Sequence, residues 1–116
     1  MKQENDLIDR TKRFAYDVYS LLKEIKPDPL NREFISQLIR SAFSIAANYR
    51  ASQRAKSTRD FANKIKITLE ETDESFFWLN CLNDLRIKEN EKIVQLIQEG
   101  NELISIFVTT LNKLEH

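Results

Sequence analysis

One glycine and two prolines in 116 residues leave this chain few places to turn. Average usage would put about eight glycines in such a length. Without that punctuation, short strands joined by tight turns are out of reach, and long helices are what remains. The length suffices for one hydrophobic core and not for two. The sequence therefore predicts a single all-α domain.

Apolar spacing divides the chain into four helical segments. In the first, Leu7, Ile8, Thr11, Phe14, Ala15, Val18, Leu21, Leu22 and Ile25 share one face, which stops at "KPDPL". Lys26 precedes Pro27 and is pushed out of the α region. Asp28 can cap the second segment, with Pro29 at its first position. That segment turns Phe34, Ile35, Leu38, Ile39, Ala42, Ile45, Ala46 and Tyr49 one way. Asn48 lies at the edge of this face and predicts an amide hydrogen-bonded to a neighbouring helix. The third segment, about 58–86, restarts at Ser57 with Asp60 three residues on, a capping-box spacing. It carries two arcs. Phe61, Ala62, Ile65, Leu69, Thr72, Phe76 and Leu79 form the core arc, and Ile67, Trp78, Leu82 and Leu85 form a second one. A second apolar row holding a tryptophan predicts an interface with another protein surface. The fourth segment, about 89–113, turns Ile93, Leu96, Ile97, Leu103, Ile104, Phe107, Val108 and Leu111 inward around Gly100. Short joins make consecutive helices antiparallel neighbours, so the expected fold is an up-down-up-down four-helix bundle over residues 1–113. The closing "LEH", residues 114–116, reads as the remnant of a purification tag.

Charge sets no global preference. Eighteen basic residues balance eighteen acidic ones, so attraction to nucleic acid must come from local asymmetry. No apolar signal region opens the chain, and no run is long enough to span a membrane. The single Cys81 cannot form an internal disulfide, which fits a cytoplasmic setting.

The residues for chemistry are missing. A di-iron bundle needs Glu-x-x-His motifs, and the one histidine is His116. The acids Glu70, Glu71, Asp73 and Glu74 read as a solvated face. Cys81 and the serines have no histidine to activate them, and no glycine loop could cradle a phosphate. The expectation is no enzyme, no metal and no cofactor.

One stretch stands out electrostatically. Between Arg50 and Lys66 the bases Arg50, Arg54, Lys56, Arg59, Lys64 and Lys66 meet one acid, Asp60. Three readings are open: a solvated corner, a phosphate-binding surface, or acid pairing across a subunit contact.

The run "SAFSIAANYRASQRAKSTRDFANKIKITLEETDESFFWL" resembles the four-helix bundle proteins related to those encoded in intervening sequences of bacterial 23S ribosomal RNA genes. The matching residues are Ser44, Ile45 and Asn48, then Ser57, Asp60 and Phe61, then Glu71 and Glu74. "NYRAS" departs from the commoner family pattern, and "NYRASQRAKS" with "DESFFWL" marks a subgroup. The family is similar in fold to the accessory protein of diversity-generating retroelements, a basic pentamer that binds a reverse transcriptase and nucleic acid. The resemblance implies a homopentamer of antiparallel bundles with no catalytic residues.

Together these readings predict a non-enzymatic homo-oligomeric scaffold. Nucleic-acid contact, with RNA or DNA, is expected through Arg50, Arg54, Lys56, Arg59 and Lys64. Self-association is expected through Ile67, Trp78, Leu82 and Leu85. The alternative is a protein–protein interaction module that touches no nucleic acid.

Overall fold

A computed structural model describes residues 6–115, and four helices account for nearly all of them. They are α1 (Asp6–Lys23), α2 (Arg32–Ser52), α3 (Thr58–Asp84) and α4 (Glu91–Leu114). Each helix packs against the next, and α1 closes the ring against α4, while the diagonal pairs bring no Cα atoms within 8 Å of each other among the described residues. The result is an antiparallel bundle measuring 45 × 25 × 21 Å. α2 packs most extensively on α3, and α1 and α4 share the thinnest seam. Leu114 continues α4, whereas His116 lies outside the described residues.

The helix ends show how the chain turns with so little glycine. Asp28 does not cap α2. Its Oδ1 accepts from the Leu30 N–H at 2.7 Å and its carbonyl accepts from Asn31 at 3.0 Å. Asp28 and Pro29 thus open a turn, in which the ring presets φ, and α2 begins at Arg32. Ser57 is extended and its Oγ accepts from the Asp60 N–H at 3.0 Å. The returning arm lands one residue early, on the Lys56 N–H at 3.2 Å. At the far end of α3, Arg86 takes φ 59°. Its N–H reaches the Asn83 carbonyl, and the Ile87 N–H reaches that of Leu82, at 3.1 and 2.9 Å. This is a Schellman closure made without glycine.

The core holds Phe14, Val18, Leu21, Leu38, Ile45, Ile65, Leu79, Leu82, Ile93, Leu103 and Phe107, all at most 1% exposed. Hydroxyls accompany them. Thr11, Ser41, Ser52, Thr68, Thr72 and Ser75 are equally hidden, and all but Ser75 donate to a carbonyl three or four residues back. Burying an unpaired hydroxyl is costly, and these local bonds remove the cost. Ser41 Oγ also meets Ser75 Oγ across the α2–α3 seam at 2.7 Å.

These small side chains rotate α3 relative to the sequence expectation. Thr68, Ser75 and Leu82 lie seven residues apart and are all buried. Leu82 is therefore a core residue and not part of an interface row. Gly100 is buried where α4 meets α3. A Cβ there would stand 3.4 Å from Phe76 Cδ1, an ordinary contact.

Candidate nucleic-acid interface

The last turns of α2, the five-residue join and the first turns of α3 form a basic corner. Arg50 lies in the last turn of α2, where a cation complements the carbonyl end of the helix dipole. Arg54 follows one turn later, on the same side. Arg50, Arg54, Lys56 and Lys64 line a groove of about 370 Å³ together with Ala47, Ala51 and Asp60. Arg59 is exposed and does not line it.

The one acid of the groove is already occupied. Asp60 Oδ1 takes the Lys64 ammonium at 2.9 Å, and Oδ2 takes the Lys56 N–H. These bonds, the Lys64 one first, hold its carboxyl below the usual carboxylate range. Arg50, Arg54 and Lys56 have no acidic partner within ion-pair distance among the described residues. No aromatic ring lines the groove. Tyr49 is buried beside Phe107 with ring centroids 5.8 Å apart, and half-buried Phe61 faces the end of the bundle with Ser52 and Leu114.

Asn48 behaves differently from its expected role. Its amide donates within its own helix, to the Ser44 carbonyl at 2.9 Å and Ser44 Oγ at 3.0 Å. Ser44 and Asn48 thus brace the helix that carries the corner, and they do not bridge to a neighbour.

The expected interface row is broken. Ile67 and Leu85 are exposed. Trp78 is half-buried between Phe34 and Phe77, at 5.5 and 5.1 Å, with its indole N–H on Glu74 at 3.2 Å. Leu82 points into the core. The most exposed ring on α3 is Phe77, at 57%. Sequence spacing assigned it to neither arc, because Phe76 and Trp78 on either side drew the two faces.

Other charges are spent on holding helices together. Arg10 donates to Glu99 and Glu102 across the thin α1–α4 seam. Glu24 takes both Lys88 and Lys92, and the Lys92 bond first holds its carboxyl low. The acid run on α3 is only partly a solvated face. Glu70 and Asp73 are exposed, but Glu71 and Glu74 are tied to Arg40 of α2. Burial pushes the Glu74 carboxyl up, and the bonds from Arg40 and Trp78 outweigh it and bring it down. Burial, then the nearby Asp84, pushes the Cys81 thiol up, which leaves it protonated and unreactive at neutral pH. Among the described residues no group of three His, Cys, Asp or Glu side chains could hold a metal ion. No helix among them is long and apolar enough to cross a membrane.

A solved structure from Bacteroides thetaiotaomicron, described as a protein of unknown function from the S23 ribosomal protein family, shares this fold. It superposes with a TM-score of 0.80 at 28% identity, over 90% of this chain and 96% of that one. No curated protein sequence matches the chain. The pattern of the 23S rRNA-intervening sequence protein family matches residues 3–109, and the chain belongs to that family.

Proposed function

We propose that the protein is a non-enzymatic, self-assembling cytoplasmic scaffold that holds RNA or DNA by its phosphates at the α2–α3 corner. The observation that carries this reading is the groove of Arg50, Arg54, Lys56 and Lys64, whose single acid is already neutralised. Three unpaired cations on one rigid corner repel one another and favour a polyanion. A pentamer of such chains, as the family resemblance implies, would multiply the cluster, and phosphate contacts add along a strand. The lack of a stacking ring in the groove favours backbone contact over base readout.

The test is nucleic-acid binding followed across salt concentration. A corner that neutralises about three phosphates per chain gives a log–log salt slope near −3 on duplex DNA. Reversing Arg50, Arg54 and Lys56 to Glu removes the binding. If the wild-type protein binds neither duplex nor single strands at low salt, the reading fails. The exposed Ile67, Phe77 and Leu85 would then favour the alternative, a protein–protein interaction module.

A further inference from the structure

Two solvent faces of the bundle are left unexplained by the basic corner, and they belong to diagonally opposite helices, α1 and α3. Along the outside of α1 runs Asp9, Lys12, Tyr16, Tyr19 and Lys23, with steps of three, four, three and four residues. All five are exposed, Tyr16 by 54% and Tyr19 by 51%. Along the outside of α3 runs Lys66, Glu70, Asp73, Phe77 and Asp84, on the same alternating three–four spacing once Asn80 is counted. These five are exposed too. Such spacing sets each row along one side of its helix, the arrangement that a helix-packing seam requires. None of these ten side chains makes an ion pair among the described residues.

The two rows match in charge order as well as in spacing. α1 and α3 run parallel within the bundle, and their relative height can be read from contacts to α2. Tyr16 packs against Phe43 at 6.1 Å, and Ser41 meets Ser75. With α2 antiparallel to α3, Tyr16 therefore stands at about the height of Asp73. Seven residues below each, Asp9 stands level with Lys66. Just above that level, Lys12 stands with Glu70. Tyr19 stands with Phe77, and Lys23 lies about one turn below Asp84, within reach of its long side chain. Even the residue that breaks the sign of each row, Asp9 on the basic face and Lys66 on the acidic one, meets its opposite.

We propose that the α1 row of one copy docks on the α3 row of a second copy, side by side and at equal height. This rests on the self-assembly part of the reading above and supplies both halves of its contact. The interface is heterologous, so each copy keeps one free row after pairing, and repetition about an axis along the bundle closes a ring. The aromatic rings form its apolar centre and the charges its edges, as in ordinary protein interfaces.

Mixing two disabled chains tests this. One carries Tyr16→Glu and Lys23→Glu, and the other carries Phe77→Asn and Asp84→Asn, so the acids added to the first damaged row meet Glu70 and Asp73 on the second and the two damaged rows cannot pair. Light scattering after size exclusion, at tens of micromolar, should find the wild type assembled and each variant monomeric. An equimolar mixture should give a species of twice the 13.7 kDa chain mass and nothing larger, because one intact contact remains. A monomeric wild type overturns self-assembly altogether. An assembled wild type with either variant still assembled, or with no dimer on mixing, overturns this pairing alone. Circular dichroism confirms that each variant is folded. If one is not, the charge reversals Lys12→Glu with Lys23→Glu and Glu70→Lys with Asp84→Lys replace them; each should be monomeric alone, and because the two reversed rows complement each other their mixture should grow beyond the dimer. Placed together in one chain, those four changes should restore the assembly that either pair abolishes.

Discussion

Leu82 and Leu85 are three residues apart on α3, and truncating each to alanine should have very different consequences. Leu82 is fully buried, with Leu79 and Ser75 on the same face, while Leu85 is 60% exposed and ends the helix. Removing a buried leucine side chain costs its transfer free energy and leaves a cavity, together about 2.7–5 kcal/mol. Domains of this size hold roughly 5–15 kcal/mol in all. Leu82→Ala should therefore remove a large share of the stability, lowering the melting temperature by roughly 10–20 °C at about 4 °C per kcal/mol. Leu85→Ala should stay within about 0.5 kcal/mol of wild type. Urea titrations read by circular dichroism, at two protein concentrations, make the comparison. A Leu82→Ala loss below about 1 kcal/mol, or one that appears only at concentrations where the protein assembles, would refute the assignment of Leu82 to the core of the single bundle.

Other substitutions probe the ends and the seams. Arg86 takes a left-handed conformation that costs an L-residue roughly 1–2 kcal/mol, so Arg86→Gly should raise the urea midpoint. Ser57→Ala removes the hydroxyl that receives the Asp60 N–H and should cost about 1 kcal/mol. Gly100→Ala gains helix propensity of about 1 kcal/mol against a tolerable 3.4 Å contact with Phe76, and should raise the melting temperature by a few degrees. Asp60, Glu24 and Glu74 have folded-state pKa values below the ordinary 3.8, 4.5 and 4.5 of these side chains. Their contribution is complete above those values and is lost as pH falls through the lower folded ones. Stability should be level from neutral pH down to about 5 and decline below about 4, and Glu24→Gln should shallow that decline in acid-titration melts.

The apolar periodicity announced four helices, and the capping residues placed one restart correctly. Ser57 begins α3 because its hydroxyl and the Asp60 N–H are local partners that any tertiary context preserves. Asp28 misled for the same local reason. It satisfies its capping tendency in a turn four residues before Arg32, where the helix begins, and composition cannot tell those outcomes apart. Leu82 and Phe77 exchanged roles because Thr68 and Ser75, both buried, had no place in an arc drawn mainly from apolar residues. In the bundle Thr68 back-bonds to its own helix and Ser75 meets Ser41 across the α2–α3 seam, so the buried arc of α3 is turned toward them. Asn48 failed similarly, since an amide four residues beyond Ser44 can satisfy itself without reaching another helix. The basic corner was visible as residue types. That Asp60 is consumed by Lys64 and the Lys56 backbone, leaving three cations unopposed, required coordinates.

The Ser41–Ser75 contact has a consequence for mispairing. It is the buried side-chain hydrogen bond that crosses between helices among the described residues, so it acts as a ruler for how α3 sits along α2. A slip of one heptad, about 10 Å, would in one direction bring Leu82 against Ser41 and leave that hydroxyl without its partner across the seam. In the other direction Thr68 would arrive, and a hydroxyl would still be met by a hydroxyl. The sequence thus guards against sliding on one side by chemistry, and on the other only by the apolar layers that must move with it.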